Sequence, residues 1–315
     1  MPRVTRVVIV GGGPGGYEAA LVARQLGADV TIVDRDGLGG SAVLTDCVPS
    51  KALIATANVI TTAERGSDLG ILIAGRPAHA SLIGVDLAAV NERITALAAA
   101  QSADVAARIQ REGIRVISGT GRLDGPGEVV ATRLDGSTER LPADVILLST
   151  GARPRVMDTA IPDGERILDW EQLYALPDVP ERLIVVGSGV TGAEFAGAYH
   201  ALGSQVVLVS SRDHVLPGED PDAAQVLDDV FARRGLEVLG RSRAAAARRV
   251  DDGVEVTLDD GRTVRGSHVL MAVGSLPNTD GIGLDTAEVA TDDRGFVSVD
   301  RVSRTSRRGI YAAGD

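Results

Sequence analysis

The chain is poor in cysteine, lysine and histidine, and the shortage of cysteine excludes two kinds of site. Its 315 residues include one cysteine, Cys47, which excludes an intrachain disulfide framework and a cysteine-rich zinc site. Lysine also occurs once, as Lys51, four positions after the cysteine, so nearly all of the positive charge is carried by arginine. The four histidines show no metal-ligand spacing and are interpreted as structural or surface residues: His79, His200, His214 and His268.

Net positive charge and long apolar runs are also missing. The formal net charge is −11 at pH 7, and a nucleic-acid partner would require a basic surface to neutralise its phosphates. No apolar run approaches the length of a membrane span, and the run from Val7 to Val10 is too short for a signal peptide. We therefore expect a cytoplasmic protein with no nucleic-acid partner and no transmembrane segment.

Glycine, by contrast, is abundant at 38 residues, and part of it lies in an internal repeat. An apolar strand runs into a glycine-rich turn at 6–16, and the same pattern returns at 182–192. In both halves an alanine-rich helical stretch, a second apolar strand and a meander with glycine turns follow. The pattern predicts an α/β protein with two Rossmann-like domains, each a parallel sheet with an antiparallel meander.

The two halves differ by one insertion. The stretch 48–112 has no equivalent in the second half, and its alanine-rich ends predict two helices. The tail ends in a short strand that has no repeat of its own to join, so we expect it to enter the sheet of the first half. The predicted domains are therefore a discontinuous one, 1–151 with 275–315, and an inserted one, 152–274.

Each glycine-rich turn has the spacing of a dinucleotide-binding motif, in the required context between a strand and a helix. The two sets are Gly11, Gly13 and Gly16 in the first half, and Gly187, Gly189 and Gly192 in the second. The first glycine permits the tight turn, the second lets the backbone approach a pyrophosphate, and the third lets the helix pack close to the strand. The free N–H groups of the helix then face the phosphates.

The residue at the end of the second strand distinguishes the two motifs. Asp34 and Ser210 each lie 23 positions after the first glycine of their motif. A carboxylate binds the ribose 2′-hydroxyl and repels a 2′-phosphate, whereas Ser210, Ser211 and Arg212 suit a 2′-phosphate better. We therefore predict an adenine dinucleotide without a 2′-phosphate at the first site, and NADPH or both nicotinamide nucleotides at the second.

The segment GLGGSAVLTDCVPSK at 37–51 resembles the redox-active segment of the flavoprotein disulfide reductases, the family of dihydrolipoamide dehydrogenase and glutathione reductase. Members carry two cysteines there, five positions apart. The matching residues are Gly39, Gly40, Cys47, Pro49, Ser50 and Lys51, whereas the first cysteine is replaced by Ala42. The resemblance extends over 5–315 and includes STGARP, VGSLPNT and the final YAAGD.

The family reaction passes a hydride from a nicotinamide to FAD and then to a disulfide, and this last step needs two thiols. With Ala42 in place of the first cysteine, the resemblance implies that dithiol chemistry is lost while the path to FAD is retained. The chain looks most like the actinobacterial branch of NAD(P)H quinone reductases, which implies a quinone or a similar small acceptor. Two alternatives stay open: a dihydrolipoamide dehydrogenase-like disulfide reductase, and a catalytically silent module that binds FAD and NADP.

The resemblance also implies roles for single residues. Lys51 would lie near the flavin and pair with Glu194, and Cys47 would lie against the flavin, so these three are the catalytic candidates. Asp315 would bind the ribityl chain of FAD, and Val190 stands where some relatives have a tyrosine that gates the nicotinamide pocket.

The candidate cofactor-binding residues fall into two groups, and no metal site is expected. For FAD they are Gly11, Gly13, Pro14, Gly15, Gly16, Asp34, Arg35, Gly40, Ser41, Lys51, Gly121, Thr150, Gly151 and Asp315. For NADPH or NADH they are Gly187, Gly189, Val190, Thr191, Gly192, Ser210, Ser211, Arg212 and Gly274. Members of the family continue beyond YAAGD into a third domain that forms a dimer interface. We therefore expect a C-terminally truncated chain from a homodimer.

Overall fold

The apolar runs become strands in the computed structural model, which describes residues 4–77 and 82–315. The strands are β1 Arg6–Val10, β2 Asp29–Asp34, β3 Leu72–Ile73, β4 Arg76–Pro77, β5 Arg115–Leu123, β6 Glu128–Arg133, β7 Thr138–Pro142, β8 Val145–Leu148, β9 Ala152–Pro154, β10 Ile167–Leu168, β11 Arg182–Val186, β12 Gln205–Val209, β13 Glu237–Leu239, β14 Ala244–Val250, β15 Gly253–Leu258, β16 Thr263–Gly266, β17 His268–Met271, β18 Ser275–Pro277 and β19 Ile310–Ala312. The α-helices are α1 Pro14–Gln25, α2 Gly40–Leu44, α3 Cys47–Arg65, α4 Leu87–Arg111, α5 Val190–Ala201 and α6 Pro221–Arg234. His79 lies outside the described residues.

The chain divides into two compact units. Unit 1 consists of Met1–Val48, Leu97–Arg153 and Ser275–Asp315, and unit 2 of Pro49–Ala96 and Pro154–Gly274. The chain therefore passes between the units close to residues 151 and 274, where the sequence analysis put its domain boundaries. In addition, the stretch from Pro49 to Ala96 groups with unit 2, although the sequence analysis counted it with the first domain.

Unit 1 contains a seven-stranded sheet in the order β19-β8-β1-β2-β5-β6-β7. The pairs from β19 to β5 are parallel, and β5-β6-β7 form the antiparallel meander. Strand β1 is almost completely buried because helices cover the faces of a parallel sheet. The tail strand β19 joins the edge of this sheet beside β8, which confirms the expectation for the C-terminal strand.

Unit 2 repeats this plan with fewer strands. Its parallel sheet has the order β10-β17-β11-β12-β13, and β14-β15-β16 form a separate antiparallel meander. In the register, Leu183 of β11 lies beside His268 of β17, just as Val7 of β1 lies beside Val145 of β8. The two α/β units with their meanders confirm the predicted fold class.

Helix α3 supplies part of the unit 2 core. Leu53, Ala57 and Ile60 are buried with Leu183 and Leu208 of the parallel sheet, and this packing explains why the stretch after Pro49 groups with unit 2. The stretch Gly40–Leu69 also has the length and the mean hydropathy, 1.2, of a membrane-crossing helix, which the sequence analysis did not foresee. Length and composition are weak grounds for a span, because the core helix of a soluble protein passes the same test.

Candidate active site

The first and third glycines of each motif are required by packing. Gly11 and Gly187 have φ values of +104° and +112°, in the left-handed range. A Cβ atom on either would collide with a backbone carbonyl oxygen, that of Ser149 or of Ala272. A Cβ atom on the third glycine would collide with the carbonyl oxygen of the first in both motifs. These positions therefore fix how closely strand and helix pack, whatever ligand is bound.

The second glycine of each motif borders open space instead. A Cβ atom at Gly13 would have its nearest neighbour, the Cα of Gly40, at 3.9 Å. At Gly189 no atom of the described residues lies within 4 Å of that position. Both glycines are N-cap residues whose helices, α1 and α5, have no side-chain cap. Each helix start therefore offers backbone N–H groups and an open space to a pyrophosphate. Both motifs thus have the geometry needed to bind a dinucleotide.

The residues beside each motif lie at the same helix starts. Pro14 opens α1, while Val190 and Thr191 open α5, where Val190 is 56% exposed. Gly40 begins α2 with a positive φ of +57°, and a Cβ there would lie 2.7 Å from the Cα of Gly13. Ser41 follows it and is exposed. The short helix α2 therefore approaches the first motif as closely as backbone permits.

In unit 1 the acidic residue at the end of β2 ties the motif to the next loop. Asp34 Oδ2 accepts a hydrogen bond of 2.7 Å from the N–H of Gly12, inside the glycine turn. Its Oδ1 accepts from the N–H groups of Asp36 and Gly37 at 3.1 and 2.6 Å. The exposed Arg35 binds Asp36 and holds the pKa of that carboxyl below its ordinary value. Asp34 thus presents a fixed carboxylate beside the turn, as a ribose-binding residue requires.

In unit 2 a hydrogen bond between two hydroxyl groups makes the corresponding connection. Ser188 Oγ, inside the glycine turn, lies 2.7 Å from Ser210 Oγ, and both residues are buried. The Ser210 hydroxyl also accepts from the N–H of Arg212 at 3.1 Å. Because this hydroxyl is fully buried and already bonded, Ser210 shapes the loop, whereas the other two candidate residues, Ser211 and Arg212, are exposed. In the part of the chain that the structure describes, the Arg212 guanidinium has no hydrogen-bond or ion-pair partner.

Lys51 and Glu194 come together within unit 2. The Lys51 Nζ donates to both carboxylate oxygens of Glu194, at 2.8 and 2.9 Å, and lies 3.4 Å from Ser50 Oγ. Lys51 is on α3 and Glu194 on α5, so two helices hold the pair. With 58% of the lysine side chain and 27% of the glutamate exposed, the pair adds at most about 1 kcal/mol to stability. The main consequence of the pair is that the ammonium group of Lys51 is held in a fixed position.

The single thiol lies one helical turn before this ammonium. Cys47 is the first residue of α3 and is exposed, and residues four apart share a helix face. Ala42, at the position of the missing cysteine, is a half-buried residue of α2. Residue 42 carries a methyl group, so no disulfide can form between positions 42 and 47.

The remaining predicted residues of unit 1 lie around the first motif. The carbonyl oxygen of Ala313 would lie 3.1 Å from a Cβ on Gly15, so the tail that carries the exposed Asp315 runs past the start of α1. A Cβ on Gly121 would press against Val10 of β1 at 2.9 Å. The sequence analysis did not single out these backbone approaches.

Asn278 is a further residue that sequence reasoning missed. Its Nδ2 donates to the carbonyl of Thr150 at 3.0 Å, and its N–H donates to the carbonyl of Gly151 at 2.9 Å. Gly274, with φ +95°, accepts from the N–H of Arg155. The first two bonds lie within unit 1 and the third within unit 2, and the residues involved belong to the motifs STGARP and VGSLPNT or follow them directly in the sequence. Among the described residues, no cluster of His, Cys, Asp or Glu could hold a metal ion.

The profile of the pyridine nucleotide-disulphide oxidoreductase family matches residues 5–315. The chain belongs to this family. It is 52% identical to an NAD(P)H dehydrogenase (quinone) of Mycobacterium tuberculosis over 99% of this chain and 64% of that protein. It is 35% identical to a dihydrolipoyl dehydrogenase of Chlorobaculum parvum over 98% of this chain and 65% of that protein. The chain thus spans slightly under two thirds of the length of these curated relatives.

Solved structures agree with this assignment to the family. The crystal structure of LpdA from Mycobacterium tuberculosis superposes with a TM-score of 0.92 at 50% identity, covering 99% of this chain and 68% of that one. The HOCl-induced flavoprotein disulfide reductase RclA from Escherichia coli gives a TM-score of 0.83 at 21% identity over 99% of this chain and 66% of that one, which shows the fold alone. The family resemblance inferred from the segment 37–51 is confirmed.

Proposed function

We propose that the chain transfers reducing equivalents from NAD(P)H through FAD to a quinone or a similar small acceptor. The overall reaction is NAD(P)H + H⁺ + quinone → NAD(P)⁺ + quinol. The observation that carries the proposal is the single cysteine: Cys47 has Ala42 where a dithiol reaction needs a second thiol. The 52% identical relative named NAD(P)H dehydrogenase (quinone) supports the same acceptor class.

In this proposal unit 1 is the FAD-binding domain. The open cradle at Gly13 and the uncapped start of α1 would take the pyrophosphate. The Asp34 carboxylate, which three backbone N–H groups hold in place, would accept the ribose hydroxyls. FAD bound there supplies a carrier that takes two electrons from a nicotinamide and gives them to the acceptor.

Unit 2 would bind the nicotinamide nucleotide. The space at Gly189 and the uncapped start of α5 repeat the phosphate-binding geometry. The exposed Ser211 and Arg212 would meet a 2′-phosphate with a hydroxyl and an uncommitted guanidinium, and a carboxylate that would repel it is absent from position 210. We therefore assign unit 2 to NADPH in preference to NADH.

Lys51 and Glu194 would tune the bound flavin, as the family resemblance implies. A cation held beside a flavin favours its electron-rich reduced form, and the two bonds from the lysine Nζ to Glu194 keep the ammonium in place. Cys47, one turn earlier on α3, would lie against the flavin without exchanging electrons with a disulfide. A cytoplasmic location, which the composition favours, and a homodimeric assembly, which the family resemblance implies, complete the proposal.

The test is the visible spectrum of the purified protein under anaerobic conditions. We expect a flavin band that NADPH bleaches and that menadione restores, with lipoamide leaving the protein bleached. A flavin band that NADPH does not bleach would favour the silent module, and a colourless protein would contradict both enzyme functions. Restoration by lipoamide alone would favour the disulfide reductase, which the 35% identical dihydrolipoyl dehydrogenase represents among the relatives.

A further inference from the structure

The loop that follows β12, residues 211–216 (the β12 loop), is held by helix α6. Asp228 of α6 accepts two hydrogen bonds from it: Oδ1 from the N–H of Val215 at 3.0 Å, and Oδ2 from Nδ1 of His214 at 2.8 Å. Val215 is fully buried, and the side chain of Asp228 is 20% exposed. Leaving a buried N–H without an acceptor costs about 1–3 kcal/mol, so Asp228 fixes where this end of the loop runs.

The same loop is also tied to the glycine turn of unit 2. The N–H of Leu216 donates to the carbonyl of Ser188 at 2.8 Å. Leu216 has a φ of +55°, a left-handed conformation that a bulky residue rarely adopts. A strained residue persists only where its surroundings hold it, and here the consecutive N–H groups of Val215 and Leu216 are bound by Asp228 and Ser188. The β12 loop is therefore held by α6 and by the glycine turn together.

Arg212 lies in this loop with its backbone fixed and its side chain uncommitted. Its N–H donates to Ser210 Oγ, and its carbonyl accepts from the N–H of Arg241 at 3.0 Å. The neighbouring Arg241 guanidinium is occupied by Asp213, with Nε 2.5 Å from Oδ1. The Arg212 guanidinium, by contrast, has no hydrogen-bond or ion-pair partner anywhere in residues 4–77 and 82–315. It projects from a loop whose position α6 determines.

We propose that Asp228 is a positioning residue for the 2′-phosphate of NADPH. Through Val215 and His214 it holds the β12 loop so that Arg212 and Ser211 meet the phosphate without a conformational search, which lowers the entropic cost of binding. Asp228 would touch no part of the nucleotide. This inference rests on the proposed function, in which the β12 loop binds the 2′-phosphate, and it extends the ligand class to any adenosine nucleotide phosphorylated at the 2′ position.

The test is calorimetric titration of the purified protein with 2′,5′-ADP and with 5′-AMP, which requires neither flavin nor turnover. Asp228→Ala should weaken 2′,5′-ADP about tenfold, the equivalent of one charge-assisted hydrogen bond, and 5′-AMP by less than about twofold. Asp228→Asn should keep affinity within about threefold, because its amide still accepts from Val215 and can donate to an unprotonated His214 Nδ1. Asp229→Ala is the matched control: it removes the same charge from α6, where Asp229 binds Gln225, and should change neither ligand.

Arg212→Ala separates this inference from the proposal beneath it. If Arg212→Ala weakens 2′,5′-ADP selectively and Asp228→Ala does not, the positioning role is wrong while the 2′-phosphate site stands. If Arg212→Ala has no selective effect, the assignment of NADPH to this loop falls. Equal losses of both ligands in Asp228→Ala would also overturn the inference. Should Asp228→Ala fail to fold, His214→Ala removes one of the two ties and should still lower 2′,5′-ADP affinity selectively, by about threefold.

Discussion

The two glycine-rich turns share a backbone and differ in the group that ties each to the following strand. In unit 1 the N–H of Gly12 binds the Asp34 carboxylate at 2.7 Å; in unit 2 the equivalent Ser188 binds the Ser210 hydroxyl at the same 2.7 Å. The collisions that make the first and third glycines obligatory are also the same. Packing therefore fixes the turn and leaves its charge free to vary, as the proposed binding of two different dinucleotides requires.

The loops after these ties also correspond, but they are held differently. The N–H of Gly39 binds the carbonyl of Gly12, and the N–H of Leu216 binds that of Ser188, both at 2.8 Å. Gly39 takes its φ of +106° without a Cβ, whereas Leu216 takes +55° with a full side chain. Unit 1 therefore makes this loop with a permissive residue, and unit 2 makes it with a strained residue that α6 supports.

The largest effect should come from substituting a glycine that packing requires, compared with substituting a glycine that borders the space left for the ligand. Gly187→Ala should destabilise the protein by about 3 kcal/mol or more, because it adds left-handed strain to a collision with Ala272. Gly189→Ala should change stability by about 1 kcal/mol or less and weaken NADP⁺ binding about tenfold, since its Cβ would enter the space left for the pyrophosphate. Thermal unfolding and nucleotide titration measure the two effects. Equal losses of stability would contradict the division of roles.

Replacing the side chain at position 210 by the carboxylate found in unit 1 should change which nucleotide unit 2 accepts. Ser210→Asp places in unit 2 the carboxylate that unit 1 carries, and it should lower the kcat/KM for NADPH relative to NADH about tenfold through repulsion of the 2′-phosphate. Ser210→Ala is the control, because it removes the hydroxyl bond to Ser188 without adding charge. An unchanged ratio in Ser210→Asp, or the same ratio in both variants, would show that the tie does not select the nucleotide.

The internal repeat provides a matched control residue for the pair formed by Lys51 and Glu194. Glu18 on α1 is the counterpart of Glu194 on α5, but it lies 4.0 Å from Arg108 and is 55% exposed. Glu194→Gln should slow reduction of the flavin by NADPH about fivefold by weakening the hold on Lys51, whereas Glu18→Gln should leave it unchanged. Both changes should alter stability by less than about 1 kcal/mol. Rapid-mixing absorbance measures the rate, and equal effects of the two variants would remove Glu194 from the site.

The smallest effect is the pH dependence that His268 contributes in unit 2. His268 occupies the register position that Val145 has in unit 1, and burial, with help from Arg166, lowers its pKa below the ordinary value. The unfolded chain then binds protons more readily, so the contribution of His268 to stability is present above about pH 6.5 and is lost as pH falls below it. His268→Val should flatten the fall in melting temperature between pH 7 and 5. An unchanged slope would contradict the assignment.

The sequence alone predicts the parallel strands, both glycine turns and the tail strand, because an apolar run that ends in glycine is compatible with few structures other than a buried strand and a turn. The grouping of the stretch after Pro49 was not readable, since the apolar face of α3 does not say which sheet it covers. The burial of Ser210 was equally hidden, because a hydroxyl at a strand end suits a ligand or a neighbouring Ser188 alike. The support from Asp228 joins residues 13 and 14 positions apart, and no local pattern marks it.

The central claim is that electrons leave this protein without passing through a dithiol. Its most direct test is steady-state turnover with NADPH, measured once with menadione and once with lipoamide as the acceptor. We predict a kcat/KM for menadione that exceeds that for lipoamide by at least about a hundredfold, a difference of about 2.7 kcal/mol in transition-state stabilisation. Comparable turnover with lipoamide would contradict the claim, because it would require a second redox-active thiol that residue 42 does not supply.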